Sequence, residues 1–258
     1  MVNMKVDLNA DLGESFGNYT CGMDEEVIPY ISSANVACGF HASDPLVMAQ
    51  TVRLGVENHT AIGAHPGYPD LVGFGRRNMA VSAKELKAMV QYQVGALQAF
   101  CKANHIKMQH VKPHGAMYNM AAKDEKLACA IAEAVYEVDP DLILLGLSGS
   151  LLIDMAKKTG LKTANEVFAD RAYQADGTLV PRSKDGAVIQ DEQIAVSRTI
   201  QMVKKGFVTA IDGTEVPIQA DSICLHGDGK KAVLFAKMLF EELTKEGIEI
   251  LPLRKVVE

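Results

Sequence analysis

The chain has 258 residues and a formal net charge of −6, and its composition is 48% hydrophobic and 22% charged. This length is within the range of a single α/β barrel and supplies enough apolar residues for an independently stable core. The excess of acidic residues, with the basic ones scattered among them, argues against nucleic acid as a partner. We therefore expect one domain that spans residues 1–258.

The five cysteines are odd in number and far apart, and none of them forms a C-x-x-C pair. This pattern predicts reduced thiols rather than a disulfide framework or a structural zinc site. The N-terminal residues lack an apolar segment followed by a small-residue cleavage site, and no run reaches the length of a membrane-spanning helix. These features together predict a cytoplasmic protein.

Short, β-rich apolar runs alternate along the chain with longer segments of helical period. Strands are predicted at residues 4–9, 34–38, 60–64, 108–112, 142–147, 163–168 and 222–226, with a weaker one at 248–251. Seven or eight such units predict a (β/α) barrel of parallel strands. An open, doubly wound sheet is the alternative, because the number of strands does not exclude it.

Several helices have recognisable start and stop signals. Ser82 and Glu85 have the spacing of a capping box. Asp191 is predicted to cap a later helix that ends at Gly206. Between such signals the apolar residues recur at helical spacing, which indicates helices that pack against a sheet.

Two connections interrupt this regular alternation. Residues 65–81 are rich in glycine and proline, and residues 170–190 form a long polar segment. Loops of this length inside an α/β domain are often lids or binding loops. A β-hairpin is predicted at residues 207–218, where Asp212-Gly213 indicates a type I′ turn.

Polar side chains follow the predicted strands at their C-terminal ends. They are Asn9, Asp11, His41, His65, Lys112, His114, Glu166, Arg171, His226 and Asp228. Each has a structural interpretation by itself, such as a turn former, a solvated side chain or a hydrogen-bonded histidine. Because the C-terminal ends of parallel barrel strands meet on one face, the set as a whole predicts an active site. His110 is the exception, since strand alternation predicts a structural role for it.

Two kinds of chemistry suit this set of residues. Asp11, His41 and His65 are a mixed carboxylate and imidazole set that can hold zinc or a similar ion for metal-assisted hydrolysis. The alternative is metal-free general acid–base catalysis by a carboxylate, a lysine and histidines whose pKa values shift in a shared cleft. The sequence has no H-E-x-x-H motif, which favours the second kind, but it leaves both open. It also has no P-loop and no G-x-S-x-G nucleophile elbow.

Seven sequence blocks, in the same order, strongly resemble the LamB/YcsF family. They are V-D-L-N-A-D-L-G-E-S-F-G, N-V-A-C-G-F-H-A-S-D-P, I-G-A-H-P-G-Y-P-D, K-P-H-G-A-M-Y-N, E-V-F-A-D-R-A-Y, P-R-S and I-C-L-H-G-D. The resemblance covers residues 4–252 and implies a (β/α) barrel-like fold, similar to that of glycoside hydrolases and polysaccharide deacetylases. It also implies ATP-dependent hydrolysis of the lactam of 5-oxo-L-proline (5-oxoprolinase activity), shared with two further subunits, B and C.

The implied activity suggests roles for the residues at the strand ends. Asp11 or Glu166 is expected to activate water as the base, while Lys112 and His114 stabilise developing charge. Arg171 is expected to pair with the substrate carboxylate. The remaining candidates are expected to orient substrate or phosphate: Asn9, His41, His65, His226 and Asp228. ATP, with Mg²⁺, is the expected cofactor, and the sequence leaves open whether this chain or a partner subunit binds it.

Two other functions are alternatives to 5-oxoprolinase activity. A metal-dependent deacetylase or amidohydrolase acting on N-acyl sugars or related amides would use the same barrel and the same aspartate and histidines. A regulatory subunit that binds a carbohydrate or amino acid and signals to a partner is the non-enzymatic alternative. The density of ionisable residues at the strand ends argues against a regulatory subunit, because sites that only bind a ligand are usually more apolar.

Overall fold

The computed structural model describes residues 4–225 and 230–257. The strands are β1 Met4–Leu12, β2 Ser33–Ala37, β3 Ala61–His65, β4 His110–Val111, β5 Ile143–Leu147, β6 Lys162–Phe168, β7 Phe207–Thr209, β8 Glu215–Pro217, β9 Ser222–Leu225 and β10 Ile248–Ile250. Strands β1 to β6 pair in parallel in chain order, and β9 pairs with both β6 and β1. These seven strands therefore close a parallel barrel. The predicted barrel is confirmed, and its closure excludes the open sheet.

The barrel strands alternate with helices. These are α1 Asp24–Val27, α2 Pro45–Glu57, α3 Ala83–Ala103, α4 Gly115–Ala121, α5 Glu125–Val138, α6 Leu151–Thr159, α7 Glu192–Lys205, α8 Lys230–Lys245 and α9 Leu253–Val256, with a 3-10 turn at Ile28–Tyr30. The capping box of Ser82 and Glu85 is present at the start of α3, and Asp191 accepts a hydrogen bond from the Ile194 N–H at the start of α7. Gly206, at φ +69°, ends α7 as predicted. No helix within the described residues is long and apolar enough to cross a membrane.

Strand β1 shows why the inside of the barrel is polar. Its apolar residues belong to the main hydrophobic core: Val6, Leu8, Ala10 and Leu12. The alternate residues hydrogen-bond to side chains of other barrel strands or their ends: Asp7, Asn9 and Asp11. Since successive side chains of a strand point to opposite faces, the odd-numbered residues line the interior. The helices thus bury the outer face of β1, and its inner face carries the polar side chains.

Strand bounds differ from the predicted ones at two places that matter for the site. β1 continues to Leu12, so Asp11 lies within the strand rather than after it. β4 is only His110–Val111, which leaves Lys112 just beyond its end. The weak strand predicted at 248–251 is β10, which pairs with Met4–Val6 at the start of β1.

The predicted hairpin forms, but the type I′ turn is wrong. β7 and β8 pair antiparallel, and the Gly213 N–H donates to the Ala210 carbonyl over 3.0 Å, so the turn is centred on Ile211 and Asp212. A type I′ turn needs positive φ at both central residues. Here it is Gly213, after the centre, that has a positive φ of +90°. The Asp212 carboxylate instead accepts from the Thr214 N–H over 3.0 Å, which fixes a wider turn.

Candidate active site

The C-terminal ends of the barrel strands surround a cavity of about 880 Å³. Its walls include side chains from the strand ends and from both long loops: Asp11, Glu14, His65, Arg76, Asn78, Lys112, His114, Asp170, Arg171 and Arg182. This volume is typical of pockets that bind small molecules. Five of the residues predicted from the strand ends, and both predicted binding loops, therefore line one pocket: Asp11, His65, Lys112, His114 and Arg171. Asn9, His41 and Glu166 are buried and do not line it.

Lys112 is the centre of a buried network, called the lysine network below. Its Nζ lies 2.9 Å from Asp11 Oδ1, 3.0 Å from Glu166 Oε1, 3.2 Å from Cys224 Sγ and 3.3 Å from Asn9 Oδ1. Burial by itself would lower the pKa of Lys112, but the carboxylates of Asp11 and Glu166 outweigh burial and raise that pKa well above its usual value. The side chain is therefore a fixed ammonium ion between two carboxylates.

Glu166 is sealed inside this network, with no exposed surface. Its Oε1 accepts from Asn9 Nδ2 over 3.1 Å as well as from Lys112, and its Oε2 accepts from the Tyr118 hydroxyl over 2.6 Å. Burial, and then the charge of Glu166, raise the pKa of Tyr118 well above its usual value, so the phenol keeps its proton. Both carboxylate oxygens are thus held by donors, and this geometry fixes the position of Lys112.

Asp11 is the more accessible carboxylate, with 14% of its side chain exposed at the cavity. Its Oδ1 accepts from Asn35 Nδ2 over 2.8 Å as well as from Lys112, and its Oδ2 lies 3.2 Å from His65 Nε2. Asn35 is held in turn by His110, whose Nε2 lies 2.7 Å from Asn35 Oδ1. Burial lowers the pKa of His110 to about 3, so its imidazole is neutral and supports the amide.

His65 and His114 are oriented by backbone carbonyl groups. His65 Nδ1 lies 2.8 Å from the Lys112 carbonyl oxygen, and His114 Nε2 lies 2.8 Å from that of Phe74. A carbonyl oxygen only accepts hydrogen bonds, so these two nitrogens carry the hydrogens. The other nitrogens, His65 Nε2 and His114 Nδ1, face each other at 2.9 Å. In the neutral rings, two lone pairs therefore point at each other, and a cation between them would stabilise this arrangement.

Glu14 and His41 complete this group, called the mouth cluster below (Glu14, His41, His65 and His114). Glu14 Oε1 lies 3.2 Å from His41 Nε2 and 3.6 Å from His114 Nδ1. The His41 ring stacks on the His114 ring, with centroids 3.7 Å apart and planes 3° from parallel. Burial, followed by the neighbouring imidazoles, lowers the pKa of both His41 and His114 well below the usual histidine value.

One donor atom from each residue of the mouth cluster lies within 4.8 Å of the others, which is a spacing suited to a metal ion. This group differs from the predicted set of Asp11, His41 and His65, because it contains Glu14 and His114 in place of Asp11. Asp11 lies beside this group, with its Oδ1 bound by Lys112 and Asn35 and its Oδ2 3.2 Å from His65 Nε2.

The loop between β3 and α3 packs closely against the mouth cluster at a glycine. Gly75 has φ +63°, and a Cβ there would lie 2.7 Å from both His114 Cδ2 and His41 Cβ. Its carbonyl accepts from the Ala116 N–H over 2.9 Å, and the preceding residue, Phe74, accepts from His114. The predicted binding loop is therefore packed onto the imidazoles.

Arg171 lies at the cavity but already has partners. Its Nε donates to the Ala187 carbonyl over 3.2 Å, and its Nη2 donates to that of Val180 over 2.6 Å. Burial lowers its pKa to about 10. These bonds hold the long loop after β6 closed on itself. His226 and Asp228, the other candidates on this side, lie outside the described residues.

Three residues of the site were missed by the sequence analysis. Glu14 follows the end of β1 by two residues, so a search extended slightly past the strand end would have included it. Tyr118 lies one helical turn into α4, within the same block as Lys112 and His114. Asn35 lies inside β2, where an amide gives no sequence signal. Only the closure of the barrel brings these side chains to the lysine network and the mouth cluster.

The fold and site define a class: closed parallel (β/α) barrels with a charged polar site at the C-terminal ends of the strands. Within that class, the chain belongs to the LamB/YcsF family, which matches residues 6–258. The predicted family is thus confirmed.

Individual relatives cover almost the whole chain. It is 64% identical over 252 residues to the A subunit of the 5-oxoprolinase of Clostridium beijerinckii, covering 98% of this chain and 99% of the relative. The corresponding A subunit of Alkaliphilus metalliredigens is 60% identical, with 96% of each chain covered. A crystal structure of the lactam utilization protein from Thermus thermophilus is 48% identical, with a TM-score of 0.91 and coverage of 96% of this chain and 99% of that one.

Proposed function

We propose that this chain is a subunit of an ATP-dependent 5-oxoprolinase, which hydrolyses the lactam of 5-oxo-L-proline to L-glutamate while ATP is converted to ADP and phosphate. The observation that carries the proposal is the identity of 64% and 60%, over nearly the full length, to proteins named as A subunits of 5-oxoprolinase. Subunits B and C are the expected partners, ATP with Mg²⁺ is the expected cofactor, and the cytoplasm is the expected location.

The lysine network suits a reaction in which negative charge develops on a lactam oxygen. Amide resonance makes the lactam carbon a poor electrophile, so the oxygen must be stabilised or phosphorylated before water attacks. Lys112 provides a cation that is already fixed in place and partly removed from solvent, and such preorganised charge is an effective way to stabilise a transition state. Arg76, Arg171 and Arg182, which also line the cavity, favour an anionic substrate.

Asp11 is the better candidate for the base that activates water. It borders the cavity, whereas Glu166 is completely buried and has donors on both oxygens. In this scheme Glu166, with Tyr118, positions Lys112, and Asp11 takes the proton from water. The assignment narrows the choice between the two carboxylates that the sequence left open.

The proposed route consumes two water molecules. The lactam oxygen attacks the γ-phosphorus of ATP and releases ADP. Water then adds to the activated carbon and loses its proton to Asp11, and the C–N bond breaks as the ring nitrogen takes a proton. The resulting acyl phosphate reacts at carbon with a second water, which gives glutamate and phosphate.

The substrate carboxylate has two candidate partners. Arg171 remains the predicted one, although two of its guanidinium nitrogens already bind loop carbonyls. Arg182 lies at the same cavity and is exposed. Because a bidentate pair needs two donors on one edge of the guanidinium, we place the substrate carboxylate on Arg182 and the bracing of the loop on Arg171.

The test is to measure glutamate release from 5-oxo-L-proline by the purified chain alone and with subunits B and C, each with and without ATP. We expect turnover only in the complete mixture with ATP. Substrate labelled with ¹⁸O in the lactam should yield labelled phosphate if the lactam oxygen is phosphorylated. Absence of glutamate from the complete mixture would overturn the proposal.

A metal-dependent amidohydrolase is the second candidate, because the mouth cluster has the residue types and spacing of a metal site. This candidate predicts hydrolysis of N-acetyl substrates by the chain alone when a divalent metal is supplied. The same preparations decide between the two candidates, since 5-oxoprolinase activity requires ATP and partners and amidohydrolase activity requires neither.

A further inference from the structure

We infer that the mouth cluster is a binding site for one divalent transition-metal ion, held by Glu14, His65 and His114, with a further coordination position open to the cavity. The inference concerns this chain's own side chains and is independent of the substrate proposed above. It also differs from the predicted ligand set, because Asp11 serves the lysine network and His41 has a supporting role.

The first support is the direction of the lone pairs. The Lys112 and Phe74 carbonyls bind the N–H groups of His65 and His114, so the second nitrogen of each ring is unprotonated when the ring is neutral. Those nitrogens lie 2.9 Å apart, and His114 Nδ1 is 3.6 Å from Glu14 Oε1. Zinc at about 2.0–2.1 Å from each ligand places neighbouring donors roughly 3.4 Å apart in a tetrahedron. The observed separations lie on either side of that value.

The second support is the hydrogen bond that each of the two histidines makes through its other ring nitrogen. Histidines that bind metal ions usually donate their other N–H to a carbonyl or carboxylate, which fixes the tautomer and raises the basicity of the ligand. His65 and His114 both have such a carbonyl, and these carbonyls belong to different elements of the fold. The two rings are therefore held in the orientation that a metal ion needs.

His41 cannot be a fourth ligand in this arrangement. Its ring is stacked parallel to that of His114 with centroids 3.7 Å apart, and a single ion cannot lie in both ring planes. Its Nε2 lies 3.2 Å from Glu14 Oε1, while its buried Nδ1 has no hydrogen-bond partner among the described residues. An N–H at Nε2 that donates to Glu14 leaves only a lone pair at Nδ1, which costs less than a buried N–H without a partner. His41 thus orients the carboxylate ligand.

The donor set selects the kind of metal. Two imidazoles and one carboxylate suit zinc and neighbouring transition metals, whereas Mg²⁺ and Ca²⁺ prefer oxygen ligands throughout. The three ligands lie on the cavity wall. Three protein ligands with an open position are typical of sites that bind a water molecule or substrate, while closed structural sites have four.

The experiment uses the full-length chain, stripped with a chelator and titrated with Zn²⁺ by calorimetry, with Co²⁺ absorption spectra as a second readout. We expect one equivalent of Zn²⁺ to bind, Mg²⁺ to give no heat at the same concentration, and Co²⁺ to show ligand-field bands. Glu14→Gln and His114→Ala should each weaken zinc binding at least about 100-fold, whereas His41→Phe, which preserves the stack, should weaken it about 10-fold.

His105→Asn is the matched control, since it removes an exposed histidine at a positive φ of +58°, which asparagine tolerates. We expect its zinc affinity and stoichiometry to equal those of the wild type. Circular dichroism and thermal unfolding confirm that each variant is folded. The inference is overturned if the wild type binds no stoichiometric zinc, or if folded Glu14→Gln and His114→Ala proteins bind it as tightly as the wild type. Glutamate release is measured separately, so either proposal can fail alone.

Discussion

Asp7 and Asp11 are two carboxylates on the same strand and the same inner face of the barrel, about 13 Å apart along β1. Asp7 has no exposed surface and accepts hydrogen bonds from the hydroxyls of Ser32, Ser33 and Ser222. These neutral donors do not offset burial, which raises the pKa of Asp7 to about 6. Asp11, at the other end, lies 2.9 Å from the ammonium of Lys112 and borders the cavity.

The difference separates a carboxylate enclosed by the barrel from one that a bound molecule can reach. The Asp7 carboxylate fills a polar pocket between β1, β2 and β9, and its ionised form is disfavoured there. Asp11 is charge-paired and accessible at the cavity, so it can exchange a proton with a bound molecule. Both aspartates point inward because side chains alternate along β1. The partners of each carboxylate then determine how strongly its ionised form is favoured.

The largest effect is expected from Lys112→Met. It keeps most of the side-chain volume but leaves two carboxylates facing each other without a cation. We expect kcat of the reconstituted 5-oxoprolinase to fall at least about 10³-fold and the free energy of unfolding to fall by about 3–5 kcal/mol. Steady-state glutamate release and urea unfolding measure the two effects.

Lys87→Met is the matched control for that variant. Lys87 pairs with Glu133 and Glu137 across the exposed surface of α3 and α5, where such pairs contribute less than about 1 kcal/mol. Its activity should equal that of the wild type. Comparable losses in Lys87→Met and Lys112→Met would mean that the lysine network has no special role.

The next largest effect separates the two aspartates directly. Asp11→Asn removes the proposed base, so kcat should fall by about 10²–10⁴-fold. Asp7→Asn, measured under identical conditions at neutral pH, should leave kcat unchanged because Asp7 does not border the cavity. If both variants lose activity to the same extent, the loss reflects distortion of β1, and Asp11 is not the base.

The sequence was sufficient for much of this fold because its signals are local. The strand beginning at residue 4, the capping box at Ser82 and the glycine that ends α7 depend on neighbouring residues only, and all were predicted. The polar strand ends could likewise be collected at one face, because parallel strands in a barrel leave no other arrangement.

The partners across the barrel could not be predicted from the sequence. The pairing of Tyr118 with Glu166 joins residues 48 positions apart, and that of Lys112 with Asp11 joins residues 101 apart. The turn type predicted at Asp212 was wrong for a local reason. The aspartate carboxylate accepts a hydrogen bond from a nearby backbone N–H, and the residue then does not need a left-handed backbone conformation. Glu14 lies beyond a strand whose end was placed too early.

The pH dependence of stability offers a sharper test of Asp7. Because its pKa is raised from 3.8 to about 6 in the folded state, its contribution to stability is fully present below pH 3.8 and is lost as the pH rises through about 6. Asp7→Asn cannot ionise, so its stability relative to the wild type should improve between pH 4 and pH 7 by about 3 kcal/mol at most. Urea unfolding of both proteins across this range measures the change. A constant difference would show that Asp7 titrates alike in the folded and unfolded states.

The smallest effect concerns packing at the mouth cluster. Gly75→Ala places a methyl group against His41 and His114 and also strains a backbone at φ +63°, whereas Gly213→Ala carries a similar strain at φ +90° with no atom of the described residues within 4 Å of the new Cβ. Strain alone costs about 1–2 kcal/mol, so Gly213→Ala should unfold more easily by about that amount. Gly75→Ala should lose more stability, because its methyl group also clashes with the two rings. Only Gly75→Ala should also lose zinc affinity, since the methyl displaces a ligand ring. Equal stability losses with equal zinc affinity would mean that the loop yields and that its contact with the imidazoles does not fix their positions.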